Sequence, residues 1–282
     1  MRELRDQNPQ EISTAYALAS VLTRLGQRTE AVHFLQQLAE QSQGLERARI
    51  ISKSLILSRT FVTNGSFERF QEALSAFLAK KYRIAQDKFE RVLIDEPQNC
   101  EVLIKLGQCL TLEDEIEGAI EKFLMAKAIN PLDSEVSLWL GKAYLALSNS
   151  KDALQEFKSL DAKLRLTEVA VLALAEAQVL AGAPSLALKT LHAELEKNPF
   201  HVQALWYSAK IKLLLLKPEH DGLWSARKDL QLALSRLASY DSMERPEWEL
   251  TSGVYRTSSE LKLEIQTLFE QVQSKIEESR KR

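Results

Sequence analysis

The sequence predicts an all-α fold built from stacked helix pairs. Three observations predict it. Apolar residues recur at spacings of three and four almost throughout, with no sustained alternation. Nine glycines and seven prolines are few for 282 residues, and a β-rich chain of that length needs many turns. The prolines also mark a period. The step from Pro97 to Pro131 sets it, and Pro199 stands two such steps further on, so that blocks begin at Ser66, Cys100, Ser134, Glu168 and Val202.

The blocks share a pattern. The Cys100 block has Leu103, Leu106-Gly107, Leu110, Ala119, Phe123, Ala126 and Pro131. The Ser134 block has Leu140-Gly141, Tyr144, Ala153, Phe157 and Leu160, and the Glu168 block has Val171, Leu174-Ala175, Ala187, Leu191 and Pro199. Small residues suit places where two antiparallel helices touch, and large ones fill the space between units. Proline ends the second helix in the Ser66, Cys100 and Glu168 blocks. With this pattern the chain resembles the tetratricopeptide repeat family, whose unit has the same period. The resemblance implies a right-handed α-solenoid of about six helix pairs, in which each unit buries its apolar face only against its neighbours.

Looser blocks flank the regular ones. The first starts at Ile12, with Leu18-Ala19, Leu22, Ala31, Leu35 and Leu38. The last starts at Val202 and keeps register only if five residues are inserted in the turn-rich stretch from Lys217 to Gly222, which gives Ala226, Leu230 and Ala233. Asn8-Pro9 stands where a repeat should end, and Met1 and Leu4 then fall on apolar positions of a second helix. The chain is therefore expected to begin inside a repeat, either as a portion of a longer protein or with a divergent stub as cap.

The register breaks between 46 and 65. Ile50, Ile51, Leu55, Ile56 and Phe61 predict an irregular extra helix near 46–62, ended by Asn64-Gly65. The Ser66 block carries Arg69 and Glu72 where the pattern places large apolar residues, so three helices are expected between 46 and 96, where pairs are the rule. At the other end, 241–253 contains Pro246 and Gly253 and reads as a linker. Thr257 to Glu260 is a capping box. The helix after it aligns Leu261, Ile265, Leu268, Phe269, Val272 and Ile276 on one face, as a C-terminal capping helix requires. The same face fits a heptad seam, so a monomer or a weak homodimer through this helix is expected. The expected domains are 1–64, an N-terminal unit plus the extra helix; 66–240, the main array; and 241–282, linker and cap.

Composition narrows function. The 39 acidic and 37 basic residues nearly cancel, which leaves no electrostatic footprint for nucleic acid; Arg280-Lys281-Arg282 is the one dense basic patch and reads as a solvated helix end. No apolar run is long enough to span a bilayer. Cys100 and Cys109 are too far apart on one helix to bridge, and two lone thiols suit a reducing, cytoplasmic location. His33, His192, His201 and His220 make no metal-spaced pair, and Glu113-Asp114-Glu115 falls in a turn within one repeat. No catalytic residues, metal site or cofactor are expected.

The resemblance implies a concave groove lined by first helices. Carried onto this chain, it would present Phe67, Phe70 and Gln71, then Ile104, Lys105 and Gln108, then Glu135, Trp139 and Lys142, then Glu176, and finally Gln203, Trp206, Tyr207 and Lys210. Some family members clamp a peptide's C-terminal carboxylate with lysines, an arginine and asparagines. The corresponding positions here hold Tyr16 and Ser20, or Leu138, Trp139 and Lys142, so that mode is not expected. The expected function is a non-catalytic scaffold or adaptor that binds a partner peptide or helix in the groove. The alternative is a regulatory or output module of a longer multidomain signalling protein.

Overall fold

The structure is a computed structural model, and it describes residues 9–161, 168–214, 220–240, 248–251, 254–256 and 258–280. Met1, Leu4 and Asn8, the insertion at 217–219, most of the linker, Thr257 of the capping box and the basic pair Lys281-Arg282 lie outside the described residues. The described residues form two compact units, one up to Ala143 and one from Tyr144 onward.

The first unit begins with α1 (Pro9–Arg24), α2 (Arg28–Gln41) and α3 (Gly44–Arg59). Next come α4 (Asn64–Leu78), α5 (Tyr82–Asp95), α6 (Cys100–Leu112) and α7 (Ile116–Ile129), and then α8 (Ser134–Ala146), which runs across the boundary. The second unit holds α9 (Ser150–Asp161), α10 (Glu168–Leu180), α11 (Pro184–Lys197), α12 (Val202–Leu214), α13 (His220–Tyr240) and α14 (Ser258–Arg280). Helices α4 to α12 begin at or close to the positions the period expects, and α13 follows the insertion. Asp221 and Gly222, expected in a turn, lie in the first turn of α13. An acidic residue is favoured there by the helix dipole, and a glycine costs little so near the end.

The period is also written in the backbone. Lys80, Asp114, Ser148 and Gly182 all have left-handed φ, and each stands one full period after the one before. Each closes a first helix and turns the chain into the second; the residue after each donates its N–H back into the helix, as Glu115 does to the Leu110 carbonyl at 2.8 Å. Only Gly182 does this without a side-chain penalty. Within each repeat the helices approach closely. A Cβ at Gly107 of α6 would stand 2.5 Å from the Phe123 ring of α7. Phe123 is fully buried and stacks on Trp139 of α8 at 6.3 Å, so one ring joins two successive repeats within the first unit.

The extra helix pairs with α2, and α1–α3 share a small apolar core around Ala19, Leu35, Ala39 and Ile50. That element docks on the turns between later repeats. Arg28 of α2 is 2% exposed and pairs with Glu96, 1% exposed, at 2.5 Å. Arg28 also donates to the Thr60 carbonyl, and Glu96 accepts from the Val62 N–H at 2.7 Å. Asn130 donates to Ser58 Oγ at 3.2 Å, and Leu132 packs against the α1–α3 core.

Helix α4 keeps the register of the pattern and buries Ser66, Phe70 and Ala73 where α6 buries Cys100, Ile104 and Gly107, but two of its residue types depart from the pattern. Arg69 and Glu72, at usual core positions, face solvent and pair with Asp95 and Lys88 of α5. Two charges would be costly to bury, and here they stay in solvent, paired across to α5.

In the second unit α14 lays Leu261, Ile265, Val272 and Ile276 into the core it shares with α12 and α13. It therefore covers the last apolar face, as expected of a capping helix. The linker expectation needs one addition. β1 (Trp248–Thr251) and β2 (Val254–Arg256) form an antiparallel hairpin in register Trp248↔Arg256, with β1 against α10 and α12 and β2 against α14. Lys212, at a position the pattern reserves for a large apolar residue, is buried and donates to Asp229 at 2.7 Å and to Ser225 at 2.9 Å.

Three expectations follow. Gly107→Ala forces the Phe123 ring to move and lowers stability by about 1–3 kcal/mol in urea unfolding; an unchanged midpoint would show that the close approach is dispensable. Glu96→Ala leaves a buried guanidinium and the Val62 N–H without their acceptor and costs about 3–5 kcal/mol, whereas Asp95→Ala beside it, from a half-exposed pair, costs about 1 kcal/mol or less. Equal losses in the two variants would overturn that contrast. Finally, burial first, with Asp133 for Cys100 and Glu113 for Cys109, pushes both thiols up to about 12. Both therefore stay protonated at pH 8, and neither labels with a disulfide reagent until denaturant is added; rapid native labelling would contradict this.

Candidate interaction surfaces

Of the expected groove residues in the first unit, Phe67 is 47% exposed and meets Phe61 edge-on at 5.5 Å. Phe70 is buried between Phe61 and Phe89, as Ile104 is buried at the same position of α6. Gln71 is exposed, Ile104 and Gln108 are buried, and Lys105 is half-buried. The Lys105 ammonium lies 5.9 Å from the Phe77 ring and donates to Gln108 at 3.2 Å. Trp139 is half-buried with its ring on Phe123, and Lys142 is buried with its ammonium 4.1 Å above the Trp139 ring.

Arg59, the last residue of the extra helix, joins several of these groups. It pairs with Glu101 at 2.8 Å, Asp133 at 2.7 Å and Glu135 at 2.8 Å. Burial alone would lower its pKa, but the three carboxylates raise it above the ordinary guanidinium value. Glu101 in turn lies 3.9 Å from Lys105. The structure thus links Glu135 to Lys105 through a residue the sequence pattern did not single out. No local signal marks Arg59, since its partners Glu101 and Asp133 lie 42 and 74 residues away along the chain.

In the second unit Glu176 and Gln203 are half-buried, and Tyr207 is buried. Burial, and then the charge of Glu176, raise the Tyr207 phenol above its ordinary pKa. Trp206 is buried, stacks on Tyr207 at 5.7 Å and carries the Lys210 ammonium 4.8 Å from its ring. Beside this pair lies an open pocket of about 480 Å³. Trp206, Lys210 and Leu214 line it from α12, and Glu260, Leu263, Glu264 and Leu268 line it from α14. The groove expectation did not include α14.

The remaining polar residues offer little chemistry. His33 and His192 are exposed on second helices, and Asp114 sits in the left-handed turn between α6 and α7. Among the described residues no group of three or more His, Cys, Asp or Glu is placed to hold a metal ion. Among them, too, no helix is long and apolar enough to cross a membrane.

Residues 70–134 match the family model described as tetratricopeptide repeat. No curated protein matches the chain. Among solved structures, PilW, described as a widely conserved type IV pilus biogenesis factor, is similar with TM-score 0.56 and 21% identity, over 62% of this chain and 79% of that one. MamA is similar with TM-score 0.52 and 19% identity, over 60% of this chain and 96% of that one. TTC0263, a thermophilic TPR protein in Thermus thermophilus, is similar with TM-score 0.53 and 17% identity, over 72% of this chain and 98% of that one. At these identities the likeness is one of fold. Residues 70–134 belong to the tetratricopeptide repeat family, and the fold of the chain is all-α and of that family's solenoid kind.

Proposed function

We propose that this protein is a non-catalytic scaffold that holds a segment of a partner protein on the groove-side faces of its first helices. The observation that carries the reading is the pocket beside α12. There two residues at groove positions, Trp206 and Lys210, border an open cavity of about 480 Å³, within the range of sites that bind ligands. In the first unit Phe67, Gln71, Lys105, Glu135 and Trp139 offer accessible surface, and Phe70, Ile104, Gln108 and Lys142 support it from below. Glu176, Gln203 and Lys210 do the same in the second unit over Trp206 and Tyr207. This mixture of aromatic rings and both charge signs suits recognition by pattern rather than by one strong anchor.

The near balance of charge argues against nucleic acid as the partner. The two free, buried thiols agree with a cytoplasmic location. The protein acts as a monomer or as a weak homodimer through α14, whose main apolar stripe is already engaged with α13. A second reading, a regulatory or output module of a longer signalling protein, draws support from α1. Leu18 and Val21 there, with Leu25 in the turn just after it, form an exposed apolar stripe at a spacing suited to a neighbouring helix.

Photo-crosslinking side chains placed singly at Phe67, Gln71, Gln203 and Lys210 are expected to trap a common partner from a lysate of the source cells. The same groups at Ile94 and Leu124, exposed on second helices, are not. Crosslinks confined to Ile94 and Leu124, or none at any position, would overturn the scaffold reading at this face.

A further inference from the structure

The pocket between α12 and α14 has the form of a slot. Trp206, Lys210 and Leu214 recur every four residues on one wall. On the other, Glu260, Glu264, Thr267 and Gln271 recur every three or four residues and flank Leu263. This stripe of α14 is distinct from the Leu261, Ile265, Val272 and Ile276 stripe that packs into the core. Both helices therefore run along the slot, and at about 1.5 Å per residue the walls extend roughly 12 and 16 Å. Leu214 is 60% exposed and Leu263 65% exposed, on opposite walls.

Two features define the occupant. The first is charge. The lining holds two carboxylates, Glu260 and Glu264, and one ammonium, Lys210, which leans over the Trp206 ring. Among the lining side chains carboxylates thus outnumber ammonium groups two to one over an apolar floor, a balance that suits a segment with basic residues beside its apolar ones. The second is backbone chemistry. The walls are helices whose own N–H and C=O groups are paired internally. An extended segment lying over Leu214, Leu263 and Leu268 would bury unpaired backbone groups, whereas a helix brings its hydrogen bonds with it.

We propose that this slot is a docking site for an amphipathic partner helix of two to three turns, apolar on one face and flanked by lysine or arginine. The proposal rests on the scaffold reading above and specifies the partner at one site. The C-terminal helix is then both the cap of the array and one wall of its binding surface.

The test uses the full chain and a designed fluorescent 14-residue peptide that carries leucines at helical spacing flanked by lysines. Two companions accompany it: one with glutamates for the lysines, and one broken by a central proline. The cationic peptide is expected to bind at least ten-fold more tightly than either companion, with affinity falling as salt rises. Glu260→Lys with Glu264→Lys is expected to reverse the order of the two charged peptides. Glu264→Lys alone, away from the first turn of α14, is expected to shift it the same way with unchanged helicity. Leu263→Asp, at an exposed position, is expected to weaken both by ten-fold or more. The proposal is wrong if the charged peptides bind alike, if reversal of the lining charge does not reverse their order, or if the proline-broken peptide binds as well. Concentration-dependent dimerisation abolished by Leu263→Asp would assign the slot to a second copy and equally overturn it. Crosslinks from Lys210 to an acidic or extended partner segment would leave the scaffold reading standing and remove this one.

Discussion

The approach of the Phe123 ring to the backbone of Gly107 is the constraint on which much of the first unit depends. With a side chain at position 107, α6 and α7 could not close to this distance. Phe123 would not then reach Trp139, whose ring carries the Lys142 ammonium within α8. The Phe123–Trp139 contact hands an apolar surface from one helix pair to the next, so neighbouring layers of the first unit share a core. The left-handed residues at 80, 114, 148 and 182 serve the same end, because they turn the chain tightly enough for the second helix to lie back on the first.

The odd helix breaks this regularity and the structure absorbs the break in two ways. Helix α3 joins α2, so that the first three helices form their own small core and lie against the turns between later repeats. Helix α4 keeps its register but leaves Arg69 and Glu72 in solvent, paired with α5, while Phe70 joins the rings of Phe61 and Phe89. Polar side chains from those turns, Glu96, Asn99, Asn130 and Asp133, become the docking points for α2 and α3. Groups that would otherwise only cap helices thereby carry contacts between distant parts of the first unit.

The period, the helix pairs, the odd helix and the apolar face of α14 were legible in the sequence because each is a local repetition of residue types. The irregularity of α4 was half legible: Arg69 and Glu72 signalled a conflict, but only the structure shows that both charges stay in solvent with the register kept. The hairpin went unread because such short strands cannot establish an alternation. The groove residues were read from helix register alone, which does not tell how far a neighbour covers them. Ile104, Gln108 and Lys142 are buried for that reason. The wall contributed by α14 was invisible, since nothing in residues 260–271 announces which earlier helix they will face.

The Arg28 and Arg59 contacts reach across 68 and 74 residues. They set an order of events during synthesis. The N-terminal helices leave the ribosome first, yet the Glu96 carboxylate for Arg28 and the Asp133 carboxylate for Arg59 are made long after their partners. At about 5–20 residues per second each delay is roughly 4–15 s. Through that interval α1–α3 hold only their own small core, with two guanidinium groups still in water. Helices α1–α3, made before the rest of the first unit, thus find their native docking only after α6 and the start of α8 have emerged.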